Sequence, residues 1–384
     1  MNRKICVVTG GRSDYGLMRL IMQGIKEDPE LTLQIVATGM HLSTAFGLTY
    51  REIEEDGFMI DAKVDVLKNL DTSIGIAQSM GDGIFGCAQA FDGLKPDLIL
   101  VVGDRFEIFA AAAAATVLKI PVAHIHGGET STGAFDEAFR HSITKMSHLH
   151  FVAAEDYRKR VIQLGENPES VFLVGGLGVD IIKNIDLLTK SELEDALGFK
   201  LGVKNLLITF HPVTLEDNTA EKQVTELLGA LSLLQDTTLI FTMPNADTGG
   251  LGIMKVIREY VQTNINAYSF VSLGQTLYLS CVSHVDGVIG NSSSGLTEVP
   301  SFQKGTINIG SRQSGRLQAS SVINCLPKAD EITAALSKLY SSEFKKSLVY
   351  ASNPYGEGGA SAKIVRALKR VNLHDIVQKT FYDL

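Results

Sequence analysis

Short aliphatic runs of strand length alternate with longer stretches of helical periodicity along most of this chain, and few folds accommodate that order. Ile5–Thr9, Leu33–Thr38, Leu98–Val102 and Val122–His126 are apolar or β-branched nearly throughout, as strands buried on both faces are. Helical patterns at Leu17–Lys26, Ile76–Leu94 and Phe106–Leu118 separate them. Parallel neighbours need a long crossover, and a helix supplies it, so this order predicts a parallel, doubly wound sheet. The rhythm restarts after Gly202. Asn205–Phe210, Thr238–Met243, Ala267–Val271, Gly287–Gly290 and Thr306–Ile309 read as strands, with helical patterns at Glu221–Leu234, Leu251–Val261 and Ala334–Leu339 between them. Two Rossmann-like α/β domains with parallel sheets are expected. The length agrees, since 384 residues exceed the roughly 250–300 at which single cores stop growing. The first domain is placed at residues 1–180 and the second at 200–358, with the boundary inside Gly175–Gly202. A last helix within 359–384, strongest over Ala360–Val371, is expected to pack back on the first domain.

Composition removes several classes. The formal net charge of −8 argues against non-specific nucleic-acid binding, which needs a basic surface, though a local site can still be basic. The longest alanine-rich stretch, Ile108–Leu118, is too short for a bilayer, which takes about 20 residues, so no membrane partner is expected. Cys6, Cys87, Cys281 and Cys325 are scattered with no Cys-x-x-Cys pair, so neither a zinc site nor a disulfide framework is expected. Met1–Thr9 enters a strand pattern at once and lacks the features of a signal peptide. A reducing cytoplasm is the compartment these features predict.

Open parallel sheets bind ligands beyond the carboxyl ends of their strands, so the residues that follow each strand are the candidates. The first strand is followed by Gly10-Gly11-Arg12-Ser13-Asp14. Its glycines allow close approach of a ligand, Ser13 or Asp14 can cap the next helix, and Arg12 would stand near a helix N-terminus where phosphate binds well. Gly103-Asp104-Arg105 follows the strand at Leu98–Val102, and there Asp104 reads either as a cap or as a functional acid. Next comes His124-Ile125-His126-Gly127-Gly128-Glu129, whose alternation would put both histidines on one face. Two histidines so spaced can hold zinc, but no third ligand at metal spacing is evident, and no metal is expected. Asp136-Glu137-Ala138-Phe139-Arg140-His141 opens a helix. Held together, carboxyl groups such as Asp104, Glu129, Asp136 and Glu137 split their pKa values, which equips one as acid and another as base.

The second half carries complementary chemistry. His211 and Asn245 each follow a strand. Gly290-Asn291-Ser292-Ser293-Ser294-Gly295 leads toward a helix carrying Glu298 about one turn in, an arrangement suited to an anion and, through Glu298, to a ribose diol. Gly310-Ser311-Arg312-Gln313-Ser314-Gly315-Arg316 adds two arginines. Carboxylates on one lobe and phosphate binders on the other suit a nucleotide sugar lying in an interdomain cleft.

These segments resemble the hydrolysing UDP-N-acetylglucosamine 2-epimerases of bacterial sialic-acid synthesis. The resemblance runs through Thr9–Gly16, Thr38-Gly39-Met40-His41, Gly103-Asp104-Arg105, His124–Glu129, Arg140–Lys145, His211-Pro212, Gly290–Ser294 and Arg312–Arg316, covering nearly the whole chain. It implies two Rossmann-like lobes of the glycosyltransferase-B kind, a homo-oligomer (dimer or tetramer) and no cofactor. It implies that a base removes the C2 proton while UDP leaves C1, and that the 2-acetamidoglucal then adds water to give N-acetylmannosamine. Carried over residue by residue, Asp104 and Asp136 become acid/base residues, with Glu137 beside them. Arg12, Arg105, His211, Asn245, Ser292, Ser293, Glu298 and Arg312 become the UDP-sugar holders. Where many members read His-Ile-Glu-Gly-Gly-Glu this chain has His126, so either His126 or Glu129 takes the role of that glutamate. Hydrolysis of UDP-N-acetylglucosamine is the expected reaction; the alternatives are the same reaction on a UDP-2,4-diacetamido-2,4,6-trideoxyhexose, a non-hydrolysing epimerase, a glycosyltransferase of the same fold and a non-catalytic nucleotide-sugar sensor.

Overall fold

The computed structural model describes residues 2–67, 72–130, 135–213, 219–244 and 250–384. Asn245 therefore lies outside the described residues. Two sheets account for the strands, and every pairing in them is parallel. The first contains β1 (Arg3–Thr9), β2 (Leu31–Thr38), β3 (Ala62–Val64), β4 (Leu98–Val102), β5 (Val122–Ile125), β6 (Leu149–Val152) and β7 (Val171–Leu173), in the order β3-β2-β1-β4-β5-β6-β7. The second contains β8 (Lys204–Thr209), β9 (Thr237–Thr242), β10 (Ala267–Phe270), β11 (Gly287–Gly290), β12 (Gly305–Ile309) and β13 (Val322–Cys325), in the order β10-β9-β8-β11-β12-β13.

Alternation along β1 explains why it reads as a continuous apolar run. Ile5 and Val7 face a core completed by Met18, Ile21 and Ile25 of the helix Arg12–Glu27 and by Ile364 and Leu368 of the helix Ala360–Arg370. Cys6 and Val8 face the opposite core, with Cys87 and Phe91 of the helix Ser73–Leu94 and the alanines of the helix Phe106–Val117. The sheet is sandwiched by helices, and both faces of each inner strand exclude water. Each fully buried side chain such as Leu368 contributes about 1.5–3 kcal/mol. The second sheet repeats the plan. Leu206 and Ile208 point to one side, toward the helices Ala220–Leu231, Gly250–Thr263 and Ala329–Tyr340, and Leu207 points to the other.

The chain separates into two compact units, Met1–Glu129 with Asp136–Ile181 and Gly356–Leu384, and Thr130–Phe135 with Ile182–Tyr355. The break between Ile181 and Ile182 falls inside Gly175–Gly202, and two segments, at Thr130 and at 356–358, are grouped differently from the sequence-based domains. Residues 182–199 belong to the second unit, because Leu193 and Leu197 of the helix Lys190–Leu197 are buried against Leu207, Cys281 and Val282. Thr130 clusters there too, since Arg316 Nε donates to its carbonyl at 2.8 Å. Residues 356–358 go with the first unit. The strands β3, β6, β7 and β13 were not expected. At three or four residues each they show too few alternations to stand out from turns. Among the described residues no helix is long and apolar enough to cross a membrane.

In each sheet the strand order reverses once, between β1 and β4 and between β8 and β11. At such a point the loops leaving adjacent strands part in opposite directions and open a crevice above the carboxyl ends. Gly290 ends β11 at the second crevice with φ +136, and a β-carbon there would overlap the carbonyl oxygen of Thr209 on the neighbouring strand. Gly290→Ala is expected to cost about 2 kcal/mol or more, a drop of several degrees in the unfolding midpoint. Gly81→Ala, on an exposed face of a helix with nothing near its added methyl, should instead be neutral or stabilising by about 0.5–1 kcal/mol. Thermal melts of the two variants check the pair, and equal midpoints would contradict the crowding argument.

Candidate active site

The crevice between β1 and β4 is lined by acids. Gly11 is the N-cap of the helix Arg12–Glu27, in extended backbone and without a side-chain cap bond. The capping role considered for Ser13 or Asp14 is therefore not what the structure has. Asp14 turns back and accepts from the Gly10 backbone N–H at 3.3 Å. Glu107 approaches Gly10 from the β4 side. Arg105 Nε reaches the Glu107 Oε2 oxygen at 3.4 Å, while Oε1, buried against Gly39, has no hydrogen-bond partner among the described residues. Burial raises the Asp14 carboxyl to about 7, Arg105 opposes the rise, and Glu107 and Asp104 add to it. Arg12 is the first residue of its helix and stands 3.9 Å from Glu52.

One gap further along, β4 and β5 end around Arg140. This guanidinium is only 2% exposed. It pairs with the Asp104 carboxylate and donates from Nη1 to the His126 carbonyl at 2.9 Å. The helix Asp136–Met146 thus ties the ends of two strands together through one side chain. Asp104 does not cap the helix that follows it, whose N-cap is Arg105 without a side-chain cap bond. Asp136 and Glu137 occupy the first turn of the helix Asp136–Met146, where the helix dipole favours negative charge. Glu137 lies 3.2 Å from His141 one turn on.

The two histidines of β5 part company. The strand stops at Ile125, and His126 takes a left-handed conformation with φ +67, so alternation no longer sets its direction. His124 is fully buried, with Nε2 2.7 Å from the Gly103 carbonyl and Nδ1 3.2 Å from Thr144 Oγ1. Burial lowers its pKa to about 3, which keeps it neutral and leaves it to brace the turn before Asp104. His126 instead faces Glu129, 3.8 Å from Nδ1 to Oε1. The intervening glycines leave little room for a side chain. A β-carbon on Gly127 would crowd His124 and Thr144, and Gly128, at φ +77, lies against the Tyr157 carbonyl. Among the described residues no group of three or more His, Cys, Asp or Glu is arranged to hold a metal.

In the second unit, Asn291 organises the crevice between β8 and β11. Its side chain accepts from the His211 N–H at 2.7 Å and donates to the His211 carbonyl at 2.8 Å. Its own carbonyl accepts from Arg312 Nη1 at 3.0 Å and from Gln313 Nε2 at 2.7 Å. His211, Asn291 and Arg312 are thereby brought together. Ser292 and Ser293 follow, but the helix expected to carry Glu298 spans only Ser294–Thr297. Pro300 has no N–H to continue the α-helical hydrogen bonding, and a 3₁₀ turn over Val299–Phe302 takes over. Glu298 still faces back. Tyr278 donates to Ser294 at 3.0 Å, and Ser294 in turn donates to Glu298. Burial pushes the Glu298 carboxyl up, and the Ser294 bond draws it down.

Glu107, Asn291, Gln313 and Tyr278 carry geometry that the sequence reading left without roles. Glu107 had a signal: it is the only charged residue in an otherwise apolar, alanine-rich helix. Nothing in the spacing marks Tyr278.

Residues 23–369 match the family model described as UDP-N-acetylglucosamine 2-epimerase. A Campylobacter jejuni protein named GDP/UDP-N,N'-diacetylbacillosamine 2-epimerase (hydrolyzing) is 44% identical over 384 residues, covering 100% of this chain and 99% of that one. The UDP-N,N'-diacetylbacillosamine 2-epimerase (hydrolyzing) of Legionella pneumophila is 38% identical, covering 97% of each chain. The solved structure of UDP-GlcNAc 2-epimerase from Neisseria meningitidis bound to UDP-GlcNAc superposes with a TM-score of 0.82 at 20% identity, over 95% of this chain and 99% of that one, and shares the fold.

The acidic crevice carries a pH signature. Between its unfolded value near 3.8 and its folded value of about 7, Asp14 keeps a proton that the unfolded chain has released. The folded state therefore loses stability as pH rises through that window, and the loss is complete above about pH 7. Asp14→Asn retains an acceptor for Gly10 without the charge. It should match the wild type near pH 4 and exceed it at pH 8 by about 2–4 kcal/mol. Denaturant melts at both pH values check this, and no gain at pH 8 would contradict it.

Proposed function

The chain belongs to the UDP-N-acetylglucosamine 2-epimerase family, and we propose that it is a hydrolysing member, converting a UDP-linked 2-acetamido sugar and water into UDP and the free 2-epimer. The observation that carries this reading is Arg140, which draws Asp104 and the His126 backbone to one point on the helix that opens with Asp136 and Glu137. Two relatives spanning the chain, both named as hydrolysing, support it.

The chemistry needs a base, a leaving anion and a proton source. A base takes the proton from C2, the C–H pair becomes the C1=C2 bond, and the C1–O bond breaks so that UDP leaves with its electron pair. Water then bonds to C1 and loses a proton, and C2 receives a proton on the face opposite the one it lost. Each transfer asks for a carboxyl or imidazole within hydrogen-bond reach, and such groups typically contribute 10²–10⁴-fold. We assign these steps to Asp104 and Asp136, with Glu137 beside them, and we assign the role of the common family glutamate to either His126 or Glu129. Binding of the UDP-sugar is assigned to Arg12, Arg105, His211, Asn245, Ser292, Ser293, Glu298 and Arg312. Arginine suits diphosphate because its planar fork donates two bonds at once.

The finer question is the sugar. Both relatives named above carry N,N'-diacetylbacillosamine in their names, which favours the UDP-linked 2,4-diacetamido-2,4,6-trideoxyhexose over UDP-N-acetylglucosamine. The purified protein should release free sugar and UDP from the diacetamido substrate with the higher kcat/KM, read by chromatography of the products. The GDP-linked sugar belongs in the same series, since one relative names it. A product still joined to its nucleotide would mark a non-hydrolysing enzyme and contradict the proposal. A second test addresses the acid/base assignment. Asp104→Asn should lower kcat by about 10²–10⁴ while UDP affinity stays unchanged by calorimetry. Wild-type turnover in a folded Asp104→Asn protein would contradict it.

A further inference from the structure

Residues 377–384 follow the last helix without regular structure, yet they are fastened to one spot of the first unit. Lys379 Nζ donates to both oxygens of Glu166, at 3.0 and 2.8 Å, and to the Ser147 carbonyl at 2.6 Å. Lys145 donates to the same carboxylate at 2.6 Å, and His150 Nε2 lies 2.9 Å from it. Tyr382 N–H donates to the Gly165 carbonyl at 2.9 Å. The Phe381 ring covers Gly165 so closely that a β-carbon there would overlap it, and Lys145 Nζ stands 5.0 Å from the ring centre. Glu166 is 2% exposed. A carboxylate that deep is costly unless its charge is answered, and here two lysines answer it while His150, whose burial lowers its pKa, adds a hydrogen bond.

The place of this knot in the fold gives it meaning. Lys145 sits in the last turn of the helix Asp136–Met146, the helix that begins with Asp136 and Glu137 and carries Arg140. Gly165 and Glu166 follow the helix Glu155–Gln163. Arg160 of that second helix donates to the Gly128 carbonyl, and the Tyr157 carbonyl lies against Gly128. Two elements therefore meet at Glu166. One aims Asp136 and Arg140, and the other backs the Gly127-Gly128-Glu129 loop beside His126.

We propose that Lys379, acting through Glu166, is a positioning residue for the ionisable cluster: residues 377–384 lock the far ends of both elements so that Asp136, Arg140 and Glu129 keep their mutual geometry. This rests on the reading that the cluster carries out the chemistry. A small displacement of reacting groups costs far more in turnover than in stability, so the two effects separate. The knot lies wholly within the first unit, and the Asn291-centred groups belong to the second.

The test uses the full chain with Lys379→Met, Lys379→Arg and Phe381→Ala. Kinetics on the UDP-sugar that the wild type turns over are read beside UDP affinity by calorimetry and amide hydrogen exchange over residues 136–146. Lys379→Met should lower kcat about ten- to hundredfold, leave UDP affinity unchanged and speed exchange in that helix. Lys379→Arg should restore turnover. Phe381 is 62% exposed, so Phe381→Ala should fold and show the same pattern more weakly, and it decides the matter if Lys379→Met does not fold. Wild-type kcat in folded Lys379→Met and Phe381→Ala, a parallel loss of UDP affinity, or failure of Lys379→Arg to restore turnover overturns the proposal. Should the wild type turn over no UDP-sugar, the proposed function falls, and hydrogen exchange alone still judges the knot: unchanged protection over 136–146 overturns it.

Discussion

A parallel sheet whose strand order reverses cannot close the gap above the reversal with its own loops, and both sheets of this protein hang their polar groups on that gap. Between β1 and β4 the turn after each strand brings an acid inward, Asp14 from one side and Glu107 from the other. Between β8 and β11 the same opening is held by Asn291, whose side chain clamps both backbone groups of His211. These groups sit beneath helices and cannot turn to water, so each must find partners inside. The need for partners then fixes the turns. His124 braces Gly103, Arg140 joins Asp104 to the His126 carbonyl, and Arg312 and Gln313 converge on the carbonyl of Asn291.

The two crevices differ in sign. The first unit gathers carboxyl groups and histidines around one buried guanidinium, an arrangement suited to moving protons. The second presents backbone donors, hydroxyl groups and arginine, an arrangement suited to holding a diphosphate. The first is the more expensive to fold, since Asp14 and Glu107 are buried acids and one Glu107 oxygen lacks a partner among the described residues. Costs of this kind are commonly retained where activity needs them. The knot at Glu166 fits the same logic, because a cluster of charges that must stay in register needs rigid support behind it.

Much of the scaffold was legible because strands buried on both faces announce themselves. β1, β2, β4, β8 and β9 run to five residues or more, are rich in aliphatic and β-branched side chains and are bounded by glycine or polar turns. β3, β6, β7 and β13, at three or four residues each, were not legible, since so short a run has no measurable period. At the site, the residue types after each strand were readable and their directions were not. His126 was expected to follow the alternation of β5, but a left-handed backbone turned it toward Glu129. Glu298 was expected within a helix that Pro300 cuts short. The Lys379–Glu166 pair spans 213 residues of sequence, a separation at which local patterns carry no signal.

The account turns on a proton leaving C2 while UDP departs, followed by addition of water. Nuclear magnetic resonance of the reaction run in deuterated water tests that sequence directly. The account predicts a free reducing sugar of inverted C2 configuration, carrying deuterium at C2, formed together with one equivalent of UDP. A free sugar with protium retained at C2, or a nucleotide-linked sugar as the final product, would contradict it.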